Sequence, residues 1–378
     1  MKILKFAFCL ICLLILASNI LMMSRWTEAR GVNDDLCYLR QAHLFQRFGL
    51  GGLDTDISRN DDHFMERKLK EINYPDVNAP PCHTSQPSGK LVLQYPPGTG
   101  FLLALFPEGH QVAPLYVIAN LIVCSLALFG IFLAESLPAA LCAGLFGALV
   151  NYLMINPAKA SYSIAPTMVI CAMTGYLTAL WLTRRERDLR PVILIGLLLG
   201  LSVNLRLPNL FLVAGYVLYL GITFLQLRNG ATFVRGLVFG VAFVAGMAPT
   251  LIANAINAGS PVATTYGAGD VAPPEFNIEV LGQYLGDTQL VLIVLAIGST
   301  AWLLRMGKGG ARHVALVVAG NLLVNLIFFL SHPVFTPYYV VPIAMLSLWS
   351  VSFGLLMQSE EAAKRVPPAQ MARAGRAA

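Results

Sequence analysis

Charge is what this chain has least of. Asp, Glu, Lys and Arg make up 12% of its 378 residues, about half of the ~25% usual in soluble domains. That shortfall excludes a solvated globular surface, and it excludes long disorder, which needs polar content to stay unfolded. It also removes any reason to read the formal net charge of +6 as affinity for nucleic acid. The basic residues sit in short loops and the tail, where membrane topology accounts for them. A P-loop, a dinucleotide fingerprint and zinc-ligand spacing are missing. So is any repeat of roughly 20–50 residues.

What is present is apolar: 56% hydrophobic residues and a mean hydropathy of +0.66. A helix needs roughly 20 apolar residues to cross a bilayer core of ~30 Å. About ten segments approach that length: Phe6–Met23, Val112–Glu135, Leu137–Ile155, Ile164–Leu182, Pro191–Leu207, Asn209–Leu227, Phe233–Asn257, Thr288–Arg305, His313–Leu330 and Pro337–Gln358. The expected fold class is an all-α polytopic membrane protein with one long external loop carrying interfacial helices. Four regions follow: a signal anchor over 1–23, the loop over 24–98, a bundle over 99–358 and a disordered tail over 359–378. Lys2 and Lys5 precede the first run, and Ala17-Ser18-Asn19 makes a poor cleavage site, which favours an uncleaved anchor. Phe101–Phe106 is too short to span and reads as re-entrant or interfacial.

Arg184, Arg185, Arg187, Arg190, Arg228, Arg235, Arg305, Lys308, Arg312 and the arginines of the tail all fall on one side if ten segments alternate. The positive-inside rule makes that side the cytoplasm and puts both termini there. The stretch Ala258–Asp287, with no Lys or Arg, falls outside with the first loop. The expected location is a plasma membrane, that of a bacterial cell envelope.

The loop from Ser24 to Gly98 is acidic and aromatic. From Asp34 to Gly49 it has helical spacing, with Tyr38, Ala42, Phe45 and Phe48 on one face and Arg40, His43 and Arg47 on the other. Such a helix is expected to lie in the membrane interface. Asn33 and Asp34 then have a plain role, as an N-cap and a first-turn acid. A catalytic role for Asp34 and Asp35 stands beside it, and the pattern alone does not choose. The acidic run through Asp54, Asp56, Asp61 and Asp62 lacks the alternation and closing Glu of a calcium loop, so it reads as solvated surface. Tyr95-Pro96-Pro97-Gly98-Thr99-Gly100 fixes an extended entry and then a turn. Of seven cysteines, five lie in apolar segments as small hydrophobes. Cys37 and Cys82 are the pair in the loop, either bridged or two free thiols.

The order of these pieces resembles a family. An acidic pair with a tyrosine, Asp34-Asp35-x-x-Tyr38, follows an anchor, and a long loop ends in Tyr95-Pro96-Pro97-Gly98. Asn156-Pro157, Gly200-Leu201 to Arg206, Asn257-Ala258-Gly259-Ser260-Pro261 to Tyr266, and His332-Pro333 to Tyr338-Tyr339 fit the same pattern. Together they resemble the GT-C superfamily of integral-membrane glycosyltransferases, in the group with the lipid A aminoarabinose transferases and protein O-mannosyltransferases. The chain departs from that family in having Asp35 where Glu is common, and in ending without a large soluble domain. The resemblance implies a polyprenyl-phosphate sugar donor, a lipid, glycan or protein acceptor, and an external site with Asp34 as base and Asp35 as its alternate or neighbour. Arg206, Lys159 and His332 are the candidates to hold the donor phosphate, although Arg206 could equally snorkel. No metal site is indicated, and dependence on a divalent ion stays open. The rival is a transporter or flippase of lipid-linked sugars, which explains the spans and Arg206 but not the acidic-aromatic loop.

Overall fold

The computed structural model describes residues 1–28, 33–74, 80–156, 160–266, 274–332, 335 and 338–364. The chain starts with α1 (Lys2–Met23) and the loop region that follows holds α2 (Asn33–Phe48), α3 (Phe64–Glu71), β1 (His83–Ser85) and β2 (Leu91–Leu93). Then come α4 (Gly98–Ala104), α5 (Val112–Leu133), α6 (Leu137–Leu153), α7 (Ile164–Arg184), α8 (Leu189–Leu205) and a 3-10 turn, Leu207–Val213, leading into α9 (Ala214–Leu227). The last elements are α10 (Gly230–Ala258), α11 (Ile278–Gly286), α12 (Gln289–Met306), α13 (Gly310–Leu330) and α14 (Val341–Lys364). The fold is that of an all-α polytopic membrane protein. Among the described residues, eight helical segments are long and apolar enough to cross a membrane: α1, α5, α7, the unit Leu207–Leu227, α10, α12, α13 and α14. α6 and α8 are apolar but shorter, at 17 residues each. Helix α14 runs to Lys364 and so takes in the first six residues expected as tail; residues 365–378 lie outside the described residues.

Backbone polar groups inside such a bundle must be satisfied by the protein itself, and asparagines do this where helices break. Pro249 sits inside α10 and removes a ladder donor. Beside the proline, between Gly246 and Thr250, the Asn204 carboxamide enters the helix ladder. Its Nδ2 donates to the Gly246 carbonyl (2.7 Å), and its Oδ1 accepts from Thr250 N–H (2.9 Å) and Oγ1 (2.7 Å). Close approach makes this possible: a Cβ on Gly200 would meet the Phe243 carbonyl oxygen at 2.1 Å, so only a glycine lets α8 and α10 cross there. The irregular stretch before α9 is held from α13, where Asn321 donates to the Leu212 carbonyl (2.8 Å) and Asn325 to that of Phe211 (2.8 Å).

The loop region departs from the expected interfacial helix. α2 ends at Gly49, whose φ is +57°, but it is enclosed on nearly every face. Arg40, which the helical spacing puts on a polar face, is 0% exposed. It donates to Asp61 (3.0 Å) and to the carbonyls of Thr55 (3.0 Å) and Asp56 (3.2 Å). The reason is that the downstream chain wraps back over α2. Leu36, Cys37, Met65, Leu69 and Leu93 form a small core of their own. The antiparallel β1–β2 pair, with His83 opposite Leu93, closes it. The acidic run is likewise spent on pairing: Asp54 with Arg59 (3.5 Å), Asp61 with Arg40, and Asp62 with Arg47. Asn257, at the end of α10, pins this lobe to the bundle by donating to the Leu53 carbonyl (2.7 Å) and accepting from Thr55 N–H (3.0 Å).

Candidate active site

The Tyr95-Pro96-Pro97-Gly98-Thr99-Gly100 segment is wedged between α2 and the end of α8. A Cβ on Gly98 would lie 2.7 Å from the Asn204 carbonyl oxygen, and one on Gly100 would lie 2.5 Å from Gln41 Oε1. Larger residues are therefore excluded at both positions. The prolines stiffen the approach, Pro97 caps α4, and the Thr99 hydroxyl donates to the Leu205 carbonyl (3.2 Å). These contacts fix where Tyr95 points. Its hydroxyl donates to Asp34 Oδ1 at 2.6 Å, and its ring packs on Tyr38 at 5.1 Å and on Tyr266 at 6.2 Å.

The second oxygen of Asp34 accepts from a residue far along the chain. Tyr338 Oη donates to Oδ2 at 3.2 Å. The ring of the same tyrosine lies under the Arg206 guanidinium, 4.4 Å from its carbon, with Tyr339 at 5.0 Å. Tyr338 thus touches the carboxylate with its hydroxyl and the cation with its face. Burial first, and then the charge of Asp34, push the Tyr95 hydroxyl well above the ordinary tyrosine value. Burial does the same at Tyr338, with Arg206 opposing and Asp34 reinforcing. Both phenols are therefore protonated donors at neutral pH, not competing anions.

Asp34 and Asp35 have different surroundings. Asp35 is 0% exposed and its Oδ1 accepts from Tyr162 N–H (3.2 Å) at the entry to α7. The Tyr162 hydroxyl in turn donates to the Glu28 carbonyl (2.6 Å). Asp35 ties α2 to the bundle, while Asp34 faces the tyrosines. Arg206 follows the last residue of α8 and is 7% exposed. Among the described residues its guanidinium forms no ion pair; aromatic faces are its partners. His332 stands behind that aromatic shelf, its ring 6.1 Å from Tyr339. Lys159 lies outside the described residues. Cys37 and Cys82 are bridged, with Cα atoms 6.4 Å apart, so of the two readings of that pair the disulfide holds.

Asp34, Tyr38, Tyr95, Arg206, Tyr266 and Tyr338 thus converge, with His332 at the margin. The sequence pattern marked Asn257, Tyr266 and Tyr338 only as parts of short motifs, and did not mark Tyr162. The available signal was position: each adjoins the same end of a long apolar helix. Among the described residues no three His, Cys, Asp or Glu side chains gather as a metal site. No protein-family model matches the chain, and no curated protein matches it either.

Proposed function

We propose that the protein is a membrane glycosyltransferase that moves a sugar from a polyprenyl-phosphate donor to an acceptor hydroxyl, with Asp34 as general base. The observation that carries this reading is the single contact chain Asp34–Tyr338–Arg206, which brings a proton acceptor and a cation with no ion pair among the described residues to one aromatic-lined spot. The reaction needs little else. The acceptor oxygen forms a bond to the anomeric carbon as the bond from that carbon to the phosphate oxygen breaks. Asp34 takes the hydroxyl proton. The leaving phosphate keeps the electron pair, and Arg206 stabilises the charge it gains. Both Asp34 oxygens are occupied by phenols, and the longer Tyr338 bond (3.2 Å against 2.6 Å) is the one an acceptor hydroxyl would displace.

In this reading the ten apolar helices all span, the lobe over 24–98 faces the outside of a bacterial inner membrane, and both termini are cytoplasmic. Asp35 is a positioning residue. The test is mass spectrometry of envelope lipids and glycans from cells carrying the wild-type gene, no gene, or Asp34→Asn. A glycan that disappears with the gene should also be lost with Asp34→Asn while the protein accumulates normally, since a missing general base costs roughly 10²–10⁴-fold. Asp35→Asn should instead lower folded yield. Undiminished product in the Asp34→Asn, Asp35→Asn double variant would remove the catalytic role.

A further inference from the structure

α2 is enclosed, but a helix with three distinct faces lies later in the chain. α11 (Ile278–Gly286) starts where the Asn277 side chain accepts from the N–H groups of Glu279 (2.8 Å) and Val280 (3.4 Å). It ends at Gly286-Asp287, and the Asp287 carboxylate opens the next helix by accepting from Gln289 N–H (2.8 Å). At nine residues α11 is too short to cross a membrane. It is fixed at the end of the bundle that carries Asp34. The Glu275 N–H donates to the Ser331 carbonyl (2.7 Å) just past α13. The Tyr284 ring packs edge-on against Phe335 at 4.7 Å, and Phe335 leads to Tyr338.

Successive residues stand about 100° apart around a helix, and α11 divides its circumference accordingly. Val280 and Tyr284, 5% and 1% exposed, face the protein. Glu279 and Gln283 form an exposed polar face, roughly a third of a turn away. Ile278 and Leu285 make the third face, about 20° from one another, and they are 77% and 58% exposed. Half-buried Leu281 lies between that face and the protein side. This apolar surface continues along the chain. Only Asp287 and Thr288 separate α11 from α12, a helix long and apolar enough to span. Val291, Val294, Leu295 and Trp302 are exposed along one side of α12, where a spanning helix meets acyl chains.

We infer that α11 is an interfacial helix that lies on the membrane surface at the Asp34 end, with Ile278 and Leu285 among the acyl chains and Glu279 and Gln283 toward water. A short helix with one apolar, one polar and one protein-facing side is satisfied in all three directions only at that boundary. Deeper in the bilayer, Glu279 and Gln283 would lose their water. Further out, Ile278 and Leu285 would stand in it. The bilayer is the occupant because the open face of α11 runs directly into the lipid-facing side of α12. Because Tyr284 abuts Phe335, the segment leading to Tyr338 is held close to the level of the headgroups. This placement does not depend on the proposed transfer reaction.

Fluorescence of the full-length protein in phosphatidylcholine nanodiscs tests it, using Leu285→Trp, Ile278→Trp and Gln283→Trp with the emission of the wild type, which has four tryptophans, subtracted. All three positions are exposed, so the substitutions should leave folding intact. Phosphatidylcholine brominated near the headgroup end of its chains should quench most of the emission added by Leu285→Trp and Ile278→Trp. The same lipid brominated near the chain ends should quench it less. Gln283→Trp should keep most of its emission with either lipid. Equal quenching of Leu285→Trp and Gln283→Trp would overturn the inference, as would stronger quenching of Leu285→Trp by the lipid brominated near the chain ends. Emission from Leu285→Trp that neither lipid touches, in a protein that runs as a dimer, would also overturn it, because a second copy of the chain would then cover the face.

Discussion

Removing the Cys37–Cys82 bridge, by Cys37→Ala with Cys82→Ala, should loosen the lobe that carries Asp34. The bridge spans a sequence separation of 45 residues. Chain-entropy reasoning for a loop of that length gives about 4 kcal/mol of stabilisation at 25 °C. The Arg40 network and the Asn257 contacts exist with and without the bridge, so they cancel in the comparison. Opening of the lobe sets the exchange rate of its amides. A change of about 4 kcal/mol corresponds to about a thousandfold faster exchange, at 1.4 kcal/mol per factor of ten. The assay is hydrogen–deuterium exchange by mass spectrometry on the detergent-solubilised protein, following peptides from α2, α3 and the β1–β2 pair, with α13 as an internal reference. Cys37 is three residues from Asp34 on the same helix, so the proposed transfer activity should fall in step. A change below about threefold in the β1–β2 peptides, or equal acceleration in α13, would refute the argument. In the first case the lobe does not open by separating the two cysteines. In the second the substitution has damaged the whole bundle.

Three further outcomes are expected. Arg206→Ala should weaken use of the lipid-phosphate donor far more than it lowers melting temperature, and Arg206→Lys should recover only part, because an ammonium lacks the guanidinium's planar fork and its stacking on tyrosine; donor kinetics with equal KM in all three forms would remove Arg206 from the site. Burial and the neighbouring Arg40 push the His83 imidazole down to about 4, with Pro81 and Asp61 the other groups facing it. An opened lobe would protonate His83 near its ordinary 6.5 and the closed lobe only near 4, so its contribution is complete above pH 6.5 and is lost as pH falls toward 4. Exchange of the β1 amides should therefore rise across that window, after correction for intrinsic rates, and His83→Gln should flatten the rise. Reporter fusions after Arg187 and Arg312 should report cytoplasm, and one near Asp62 the outside; a cytoplasmic signal at Asp62 would contradict the proposed orientation.

The helical bundle was legible in the sequence for a physical reason. In lipid a single segment must satisfy its own backbone, so an apolar run of sufficient length already implies a helix, and each of the ten runs coincides with one. The stiff Tyr95-Pro96-Pro97-Gly98 segment was legible as well, because proline restricts the chain locally. The placement of Arg40 was not. Helical periodicity assumes one apolar partner surface, whereas α2 is wrapped by chain that returns through a disulfide. The β1 and β2 strands, at three residues each, are too short to show alternation. Asn204 carries no signal in the sequence, because its role depends on the break at Pro249 in another helix. Asp34 and Arg206 were both marked in the sequence, but the tyrosine that joins them could be recognised only from the fold.

That tyrosine also sets when the site can exist. Asp34 and Tyr338 are 304 residues apart, and a ribosome adding about 5–20 residues per second needs roughly 15–60 s to cover that distance. Asp34, Cys37, Cys82 and Tyr95 are all synthesised early, so the lobe can fold and oxidise while most of the bundle is still unmade. Arg206 and then Tyr338 arrive later, and the last contact waits for the entry into the final helix. A nascent chain therefore carries a carboxylate with no cation opposite it. Biosynthesis itself separates synthesis of the acidic lobe from completion of this contact, and any chain interrupted before residue 338 lacks the Asp34–Tyr338–Arg206 arrangement.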